Sequence, residues 1–192
     1  MKRLTLILAI LFSAGCMLTI SAAQKKNKEK VATSSEKALV VYFSATGNTR
    51  ALASTAAAAL GTDTFEIIPS KPYSADDLNY RDDNCRANAE QRDSALRPKI
   101  KDMNVDLKSY RTIVLAYPLW WAEEPRIIDT FIESFDFSGK TIVPICTSGS
   151  SDIQKSVENI RKLIKGKPTV KEGKRFMPDS TKEEFKAWYD TI

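Results

Sequence analysis

Residues 38–50 read ALVVYFSATGNTR and place a polar loop directly after an apolar run. The apolar part, residues 38–43, has the length and composition typical of a strand buried on both faces of a sheet. An alanine-rich segment, residues 48–60, follows and is closed by Gly61, which predicts a helix. A buried strand, a polar loop and a helix in this order indicate an α/β protein.

The same alternation of strand and helix continues to the end of the chain. Further strands are predicted at residues 64–68, 112–117, 141–146 and 169–176, further helices at residues 125–135, 151–164 and 181–189, and a polar, partly helical stretch at residues 76–96. Five alternations predict a doubly wound parallel sheet with helices on both faces. Ligands of such sheets bind at the carboxyl ends of the strands, so the loops after the first, third and fourth strands are candidate sites.

The N-terminus has the composition of a secretory signal peptide. Lys2 and Arg3 precede an apolar run, residues 4–20, and the small residues 21–23 provide a cleavage site. We therefore expect a signal peptide at residues 1–23, a flexible lysine-rich leader at residues 24–36 and one folded domain at residues 37–192. The mature protein is then exported, to the periplasm or the cell surface.

Two alternatives to this cleavage are open. The apolar run is at the short end for a spanning helix, but it can be retained as a membrane anchor. Residues 13–16, Ser-Ala-Gly-Cys, resemble the bacterial lipoprotein box, although Ser13 stands where that box usually has leucine. We favour a mature chain that starts at Gln24; once the apolar run is removed, only lipidation at Cys16 places the protein on a membrane.

Charge and residue counts exclude several classes of function. The formal net charge of +5 comes from the N-terminal region, since residues 31–192 hold 23 basic and 23 acidic side chains. A near-neutral domain gives no basis for nucleic-acid binding. The absence of histidine excludes Ser-His-Asp and Cys-His catalysis and histidine-ligated metals, and we expect no metal site. Export permits a disulfide between Cys85 and Cys146, but we favour two separate thiols.

The first loop, residues 44–50, has the features of an anion site. Ser44, Thr46 and Thr49 offer hydroxyl donors, and Gly47 lets the backbone approach a ligand closely. The first amides of the following helix have no partner within the helix, and the helix dipole favours an anion there. The loop matches neither G-x-x-x-x-G-K-[ST] nor G-x-G-x-x-G. It predicts a phosphate site without a basic side chain, with an ordinary helix cap as the alternative.

Two further loops are predicted at the same edge of the sheet. The second, residues 117–125, carries Trp120 and Trp121 side by side. We expect one indole to cap the core and the other to present its flat face to an aromatic ring system. The third loop, residues 147–152, is made of small residues whose backbone amides are free to contact polar ring edges. By itself the third loop is equally consistent with a turn and a helix cap.

Together these motifs resemble the flavodoxin-like superfamily. The strand followed by Ser44-Ala-Thr-Gly-Asn-Thr49 is similar to its phosphate-binding loop for flavin mononucleotide (FMN). Tyr117-Pro-Leu-Trp-Trp121, and residues 136–141 leading into Cys146-Thr-Ser-Gly149, are similar to one branch of flavodoxin-type domains. The resemblance runs from about Ala38 to the end of the chain. It implies a five-stranded sheet in the order 2-1-3-4-5, with FMN as cofactor.

The resemblance also implies where the cofactor lies, with its phosphate on the first loop and its isoalloxazine ring between the second and third loops. The residues carried over for the phosphate are Ser44, Thr46, Gly47, Asn48 and Thr49. The residues carried over for the ring are Pro118, Leu119, Trp120, Trp121 and Ala122 from the second loop, and Thr147, Ser148 and Gly149 from the third.

The sequence departs from this branch at positions beside the ring. Ala122 stands where glycine is frequent, and Ser148 stands where histidine is frequent. Because alanine adopts a positive φ less readily than glycine, we expect a redox-linked backbone flip at this position to be hindered. If Glu123 and Glu124 face the ring, their charge disfavours an anionic reduced flavin.

The implied function is that of an exported FMN-binding redox protein, which transfers electrons or carries out flavin-dependent reduction. Its partner is then a redox protein or a small-molecule electron acceptor. One alternative is an NAD(P)H:quinone reductase, which needs an open pocket over the ring. Another is an FMN-binding or apo interaction module without catalytic turnover. The polar segment at residues 73–98 is able to border a pocket, but we expect a solvated helix there.

Overall fold

The structure is a computed structural model, and it describes residues 37–192. The expected signal peptide, the lysine-rich leader and the alternative lipidation site at Cys16 lie outside the described residues. Within residues 37–192, no helix combines the length and apolar character needed to cross a membrane.

Six strands form one parallel sheet in the described part of the chain. They are β1 (Ala38–Tyr42), β2 (Thr64–Glu66), β3 (Thr112–Pro118), β4 (Thr141–Thr147), β5 (Thr169–Val170) and β6 (Lys174–Phe176). The order is β2-β1-β3-β4-β5, and β6 also pairs with β4. The predicted strand order 2-1-3-4-5 is confirmed.

Helices cover both faces of this sheet. Residues 37–192 contain α1 (Asn48–Leu60), α2 (Arg86–Arg92), α3 (Arg126–Ser134), α4 (Gln154–Leu163) and α5 (Lys182–Tyr189). Val40 of β1 lies in one core with Leu52 of α1 and Phe185 of α5. The next residue, Val41, lies in the other core with residues of α3 and α4, including Ile128 and Val157. Neighbouring strand residues point to opposite faces, so the predicted two-sided α/β architecture is confirmed.

The fifth strand differs from the prediction. The expectation of one continuous strand at residues 169–176 is wrong, because residues 171–173 separate β5 from β6. Gly173 has a φ of +73, and a Cβ built there would lie 2.7 Å from the carbonyl oxygen of Pro144. A backbone that passes this close to β4 in a left-handed conformation interrupts the extended strand.

The polar stretch at residues 76–96 is helical only in part, as predicted. It contains a 3₁₀ turn (Asp76–Leu78) and the short helix α2. Cys85 precedes α2, and its sulfur accepts a hydrogen bond from the backbone N–H of Asn88 at 3.4 Å. Cys85 and Cys146 are both buried, free thiols. Burial raises the pKa of Cys146 to about 12, so this thiol stays protonated at neutral pH.

Candidate functional site

The three predicted loops meet at the carboxyl edge of β1, β3 and β4, and Thr147 connects them. Its hydroxyl lies 2.8 Å from the hydroxyl of Thr49 in α1. Its carbonyl oxygen accepts a hydrogen bond of 2.9 Å from the backbone N–H of Leu119 in the second loop. Thr49 and Thr147 are both buried. Because the two hydroxyls pair with each other, they position the loops.

The first loop turns at Gly47, which has a left-handed φ of +93. Ser44 shapes this turn, because its Oγ accepts a hydrogen bond of 3.1 Å from the Gly47 N–H. No side chain caps the N-terminus of α1, and no acidic residue lies in its first turn. The amides of Asn48 and Thr49 at the helix start are therefore available to an anion, whose charge the helix dipole favours.

The two adjacent tryptophans have different environments. Trp120 packs edge-on against Phe43 and Tyr73, with ring centroids 5.8 and 5.2 Å apart. Trp121 is 63% exposed, and its Nε1 donates a hydrogen bond of 2.7 Å to Oδ1 of Asn88. The prediction that one indole caps the core while the other presents its face to a ligand is consistent with this arrangement, and Trp121 is the exposed one.

Trp121 and Ala122 form a two-residue turn with φ values of +54 and +65. Trp120 and Glu123 flank the turn and exchange backbone hydrogen bonds of 2.9 and 3.1 Å. Positive φ at both central residues is the geometry of a type I′ turn, which favours glycine and asparagine. We expected alanine at position 122 to hinder a positive φ, yet Ala122 has a positive φ in the structure. The strain is about 1–2 kcal/mol for each residue, and neighbouring contacts must offset it.

A cleft of about 340 Å³ opens among the three loops, a volume within the range of small-ligand sites. The predicted cofactor residues that line it are Thr46, Thr49, Pro118, Leu119, Trp120 and Trp121. The other predicted residues lie in the same loops but not in the cleft lining: Ser44, Gly47, Asn48, Ala122, Thr147, Ser148 and Gly149. The first and second loops therefore form most of the cleft, and the third loop contributes Ser151.

The third loop is held from the edge of the sheet. Arg175 of β6 donates hydrogen bonds to the carbonyl oxygens of Ser148 and Gly149, at 3.1 and 3.3 Å. Both acceptors are backbone atoms, so the contact depends on the path of the loop and not on its side chains. The sequence therefore gave no local sign that Arg175 supports this loop.

Residues 73–98 form one wall of the cleft, so the expectation of a solvated helix there is wrong. Leu78, Tyr80, Ala87 and Asn88 line the cleft. Leu78 and Tyr80 are isolated apolar side chains in a polar stretch. Their presence was the one sequence feature that could have indicated a wall of the cleft at residues 73–98. Asn88 carried no such signal, because its partner Trp121 lies 33 residues further along the chain.

This wall is anchored by a cluster around Tyr73. Its hydroxyl donates a hydrogen bond to Glu90, and the guanidinium of Arg86 lies 4.0 Å from the centre of its ring. Arg86 also pairs with Glu90 at 2.7 Å. The same ring packs against Trp120, so the cluster joins α2 to the second loop. A wall fixed in this way can position side chains at the cleft.

Neither glutamate of the second loop lines the cleft. Glu123 pairs with Arg126 and Lys155, both at 2.7 Å. Glu124 is fully buried, and burial together with the nearby charge of Asp129 raises the pKa of its carboxyl to about 8. We expected Glu123 and Glu124 to disfavour an anionic reduced flavin only if they faced the ring. Because neither lines the cleft, this expectation does not apply.

Comparison with solved structures gives two similar proteins from one bacterial genus. A candidate flavoprotein from Bacteroides eggerthii is 38% identical, with a TM-score of 0.77 over 81% of this chain and 97% of that chain. A candidate flavoprotein from Bacteroides uniformis is also 38% identical, with a TM-score of 0.75 over 81% of this chain and 99% of that chain. A flavoprotein from Lactobacillus acidophilus, crystallised in complex with FMN, is 21% identical, with a TM-score of 0.56 over 73% of this chain and 93% of that chain, and shares the fold.

The family assignment follows from the sequence. No curated protein sequence matches at a significant level. The sequence model of the family described as Flavodoxin matches residues 37–192, the whole described domain. FMN is the cofactor of this family, in agreement with the cofactor that the sequence implied. On this match, and on the 38% identity to the two Bacteroides proteins, the chain belongs to the flavodoxin family.

Proposed function

We propose that this chain binds one FMN in the cleft and works as a redox protein outside the cytoplasm. The observation that carries the proposal is the cleft, which joins an uncapped helix N-terminus to an exposed indole. Thr46 and Thr49 line it from the first loop, and Trp121 lines it from the second. A ligand that combines a phosphate with a flat aromatic ring system suits both parts of the cleft, and FMN is such a ligand.

The bound flavin supplies the redox chemistry, and the protein holds and orients it. The backbone amides of Asn48 and Thr49 hold the phosphate without any basic side chain. Trp121 offers its face to the ring system, while Leu78 and Tyr80 line the neighbouring wall. The two Bacteroides relatives are described as flavoprotein candidates, and the Lactobacillus acidophilus protein holds FMN on the same fold. These descriptions support the proposal.

Titration of the purified mature protein with FMN and, separately, with riboflavin tests this binding. We expect FMN fluorescence to be quenched at a one-to-one ratio and the melting temperature to rise with FMN concentration. Riboflavin, which lacks the phosphate, should bind more weakly. Unquenched fluorescence together with an unchanged melting temperature at high FMN contradicts the proposal.

A matched pair of threonine variants locates the phosphate. Thr46→Ala removes a hydroxyl at the cleft and should weaken FMN binding roughly tenfold, the effect of one hydrogen bond to a charged group. Thr169→Ala removes an exposed hydroxyl from β5, outside the cleft, and should leave the affinity unchanged. Equal FMN affinities for Thr46→Ala and the wild type mean that the phosphate lies elsewhere.

A second candidate function, NAD(P)H:quinone reduction, is favoured by the exposed rim of the cleft. Trp121 and Tyr80 are 63% and 64% exposed, so a small planar molecule has access to the cleft. Anaerobic mixing of the FMN-loaded protein with NADH or NADPH separates the candidates. Bleaching of the flavin band supports the reductase. If the band does not bleach, a chemical reductant and a soluble electron acceptor are added next. Reduction and reoxidation of the flavin then support an electron carrier. Failure of both supports a binding module without turnover.

Export is the part of the proposal that rests on residues 1–36 alone. We expect the mature protein to begin at Gln24 or to carry lipid on Cys16. Intact mass of the protein recovered from the producing cells, compared with that of a Cys16→Ser variant, distinguishes the two. Recovery of the full-length chain from the cytoplasmic fraction contradicts export.

A further inference from the structure

Asn88 lies between the two exposed aromatic residues of the cleft and bonds to both. Its Oδ1 accepts the hydrogen bond of 2.7 Å from Nε1 of Trp121. Its Nδ2 donates to the carbonyl oxygens of Tyr80 and Asp82, at 3.0 and 2.9 Å. Asn88 is only 4% exposed, and its three hydrogen bonds are partly buried. One buried amide therefore connects the second loop to the wall on the other side of the cleft.

Gln91, one turn further along α2, acts on the backbone of the same turn. Its Nε2 donates to the carbonyl oxygens of Trp120 and Glu124, at 3.1 and 3.2 Å. These two residues bracket the left-handed pair Trp121 and Ala122. Residues three apart on a helix lie on the same face, so α2 presents both amides to the turn. Asn88 holds the side chain of Trp121, and Gln91 holds the backbone on both sides of the turn. These hydrogen bonds offset the strain of the two positive φ values.

We propose that Asn88 is a positioning residue for the flavin site, because it fixes the indole of Trp121 and the backbone of Tyr80 at a set separation. Gln91 supports it by holding the turn in its left-handed form. Trp121 and Tyr80 both line the cleft, and the part of the cleft between them is the slot that we assign to one planar ring system. A preformed slot binds more tightly than one that must be ordered on binding. This inference rests on the proposed function, since the ring that the slot receives is that of FMN.

A double-mutant cycle measures this role through the dissociation constant for FMN. Trp121→Phe keeps the aromatic face but removes the Nε1 donor, so it should weaken FMN binding roughly fivefold. Asn88→Ala should weaken it tenfold or more, because three hydrogen bonds are lost. If the residues act through their shared bond, Trp121→Phe has less than about a twofold effect in the Asn88→Ala background.

Trp120→Phe provides the matched control, since Trp120 packs against Phe43 and Tyr73 and forms no side-chain bond with Asn88. Its effect on FMN affinity should be the same with and without Asn88. The tryptophan emission spectrum of the FMN-free protein supplies a second readout, and it should shift for Asn88→Ala as the Trp121 indole loses its fixed partner.

The outcomes separate this inference from the proposed function. Failure of the wild type to bind FMN overturns both. FMN binding with additive effects of Asn88→Ala and Trp121→Phe overturns the positioning role alone, as does a lower melting temperature with unchanged FMN affinity. If Asn88→Ala does not fold, Asn88→Asp replaces it and keeps an oxygen facing Trp121. Trp121→Phe should then again weaken binding about fivefold, and an effect below twofold overturns the role.

Discussion

Replacing Glu124 with glutamine should remove a loss of stability that the wild type shows as the pH rises. Glu124 is 0% exposed, and neither of its carboxylate oxygens has a hydrogen-bond partner among the described residues. Asp129 is equally buried but lies 3.4 Å from Arg126 and 3.8 Å from Arg97. Burial raises the pKa of Asp129 as well, but the two guanidinium groups oppose this shift and favour its charged form, whereas Glu124 has no cationic group beside it in the described part of the chain. Glu124 therefore keeps its proton at neutral pH.

The direction and size of the effect follow from the pKa of Glu124. Burial, and then repulsion from Asp129, raises this pKa from 4.5 to about 8. Between these values the folded state binds more protons than the unfolded state, so the free energy of unfolding falls as pH rises through this window. At about 1.4 kcal/mol per pKa unit, the loss is at most about 5 kcal/mol and is complete above about pH 9.

Urea unfolding of both proteins at about pH 5, 7 and 9 measures this loss. Glutamine keeps the side-chain shape and is neutral, like the protonated carboxyl, so at the lowest pH the two should agree within about 1 kcal/mol. At the highest pH the variant should be more stable by roughly 3 kcal/mol.

Glu133→Gln serves as the control for this experiment. Its hydrogen bond with Arg97 lowers the pKa of Glu133, so this variant should retain the wild-type fall of stability. The reasoning is refuted if the wild-type and Glu124→Gln curves fall in parallel over the whole pH range.

Two further changes test the first loop and the last helix. Gly47 has a φ of +93, and an added Cβ would meet no atom within 4 Å, so Gly47→Ala perturbs the backbone alone. Calorimetric titration should show FMN affinity about tenfold lower, from about 1–2 kcal/mol of strain, and riboflavin affinity lowered less. Thr181 and Glu184 form a capping box at the start of α5. Thr181→Ala should lower the free energy of unfolding in urea by about 1 kcal/mol and leave FMN affinity unchanged; a weaker FMN affinity contradicts the placement of the site.

The positions of most strands and helices were predictable because they depend on local periodicity, whereas the strand order was implied by the resemblance to the flavodoxin-like superfamily. Residues 38–43 form a continuous apolar run and residues 141–146 are mostly apolar, a composition typical of strands in a sheet covered on both faces. The fifth strand was predicted less well, because its interruption depends on how closely Gly173 passes Pro144. That distance belongs to the packing of β4 and has no local pattern.

The part of the candidate site formed by the loops after the strands was predictable. The first and second loops come directly after buried strands, and the sheet brings them together whatever the rest of the chain does. The wall at residues 73–98 was missed because polar composition alone suggests solvent exposure. Its amides and charges instead bond to Trp121, Trp120 and one another, and such pairing over long sequence separations leaves no periodic signal.

The family resemblance, the parallel sheet and the loop that can hold a phosphate were predictable without a structure, because sequence motifs, strand periodicity and loop chemistry are local properties of the chain. Only the folded structure shows that Trp121 is the exposed tryptophan of the pair and that Trp121 and Ala122 adopt a positive φ. It also placed Asn88 against the Trp121 indole. These features depend on hydrogen bonds and burial between residues distant in sequence, and such contacts exist only once the chain has folded.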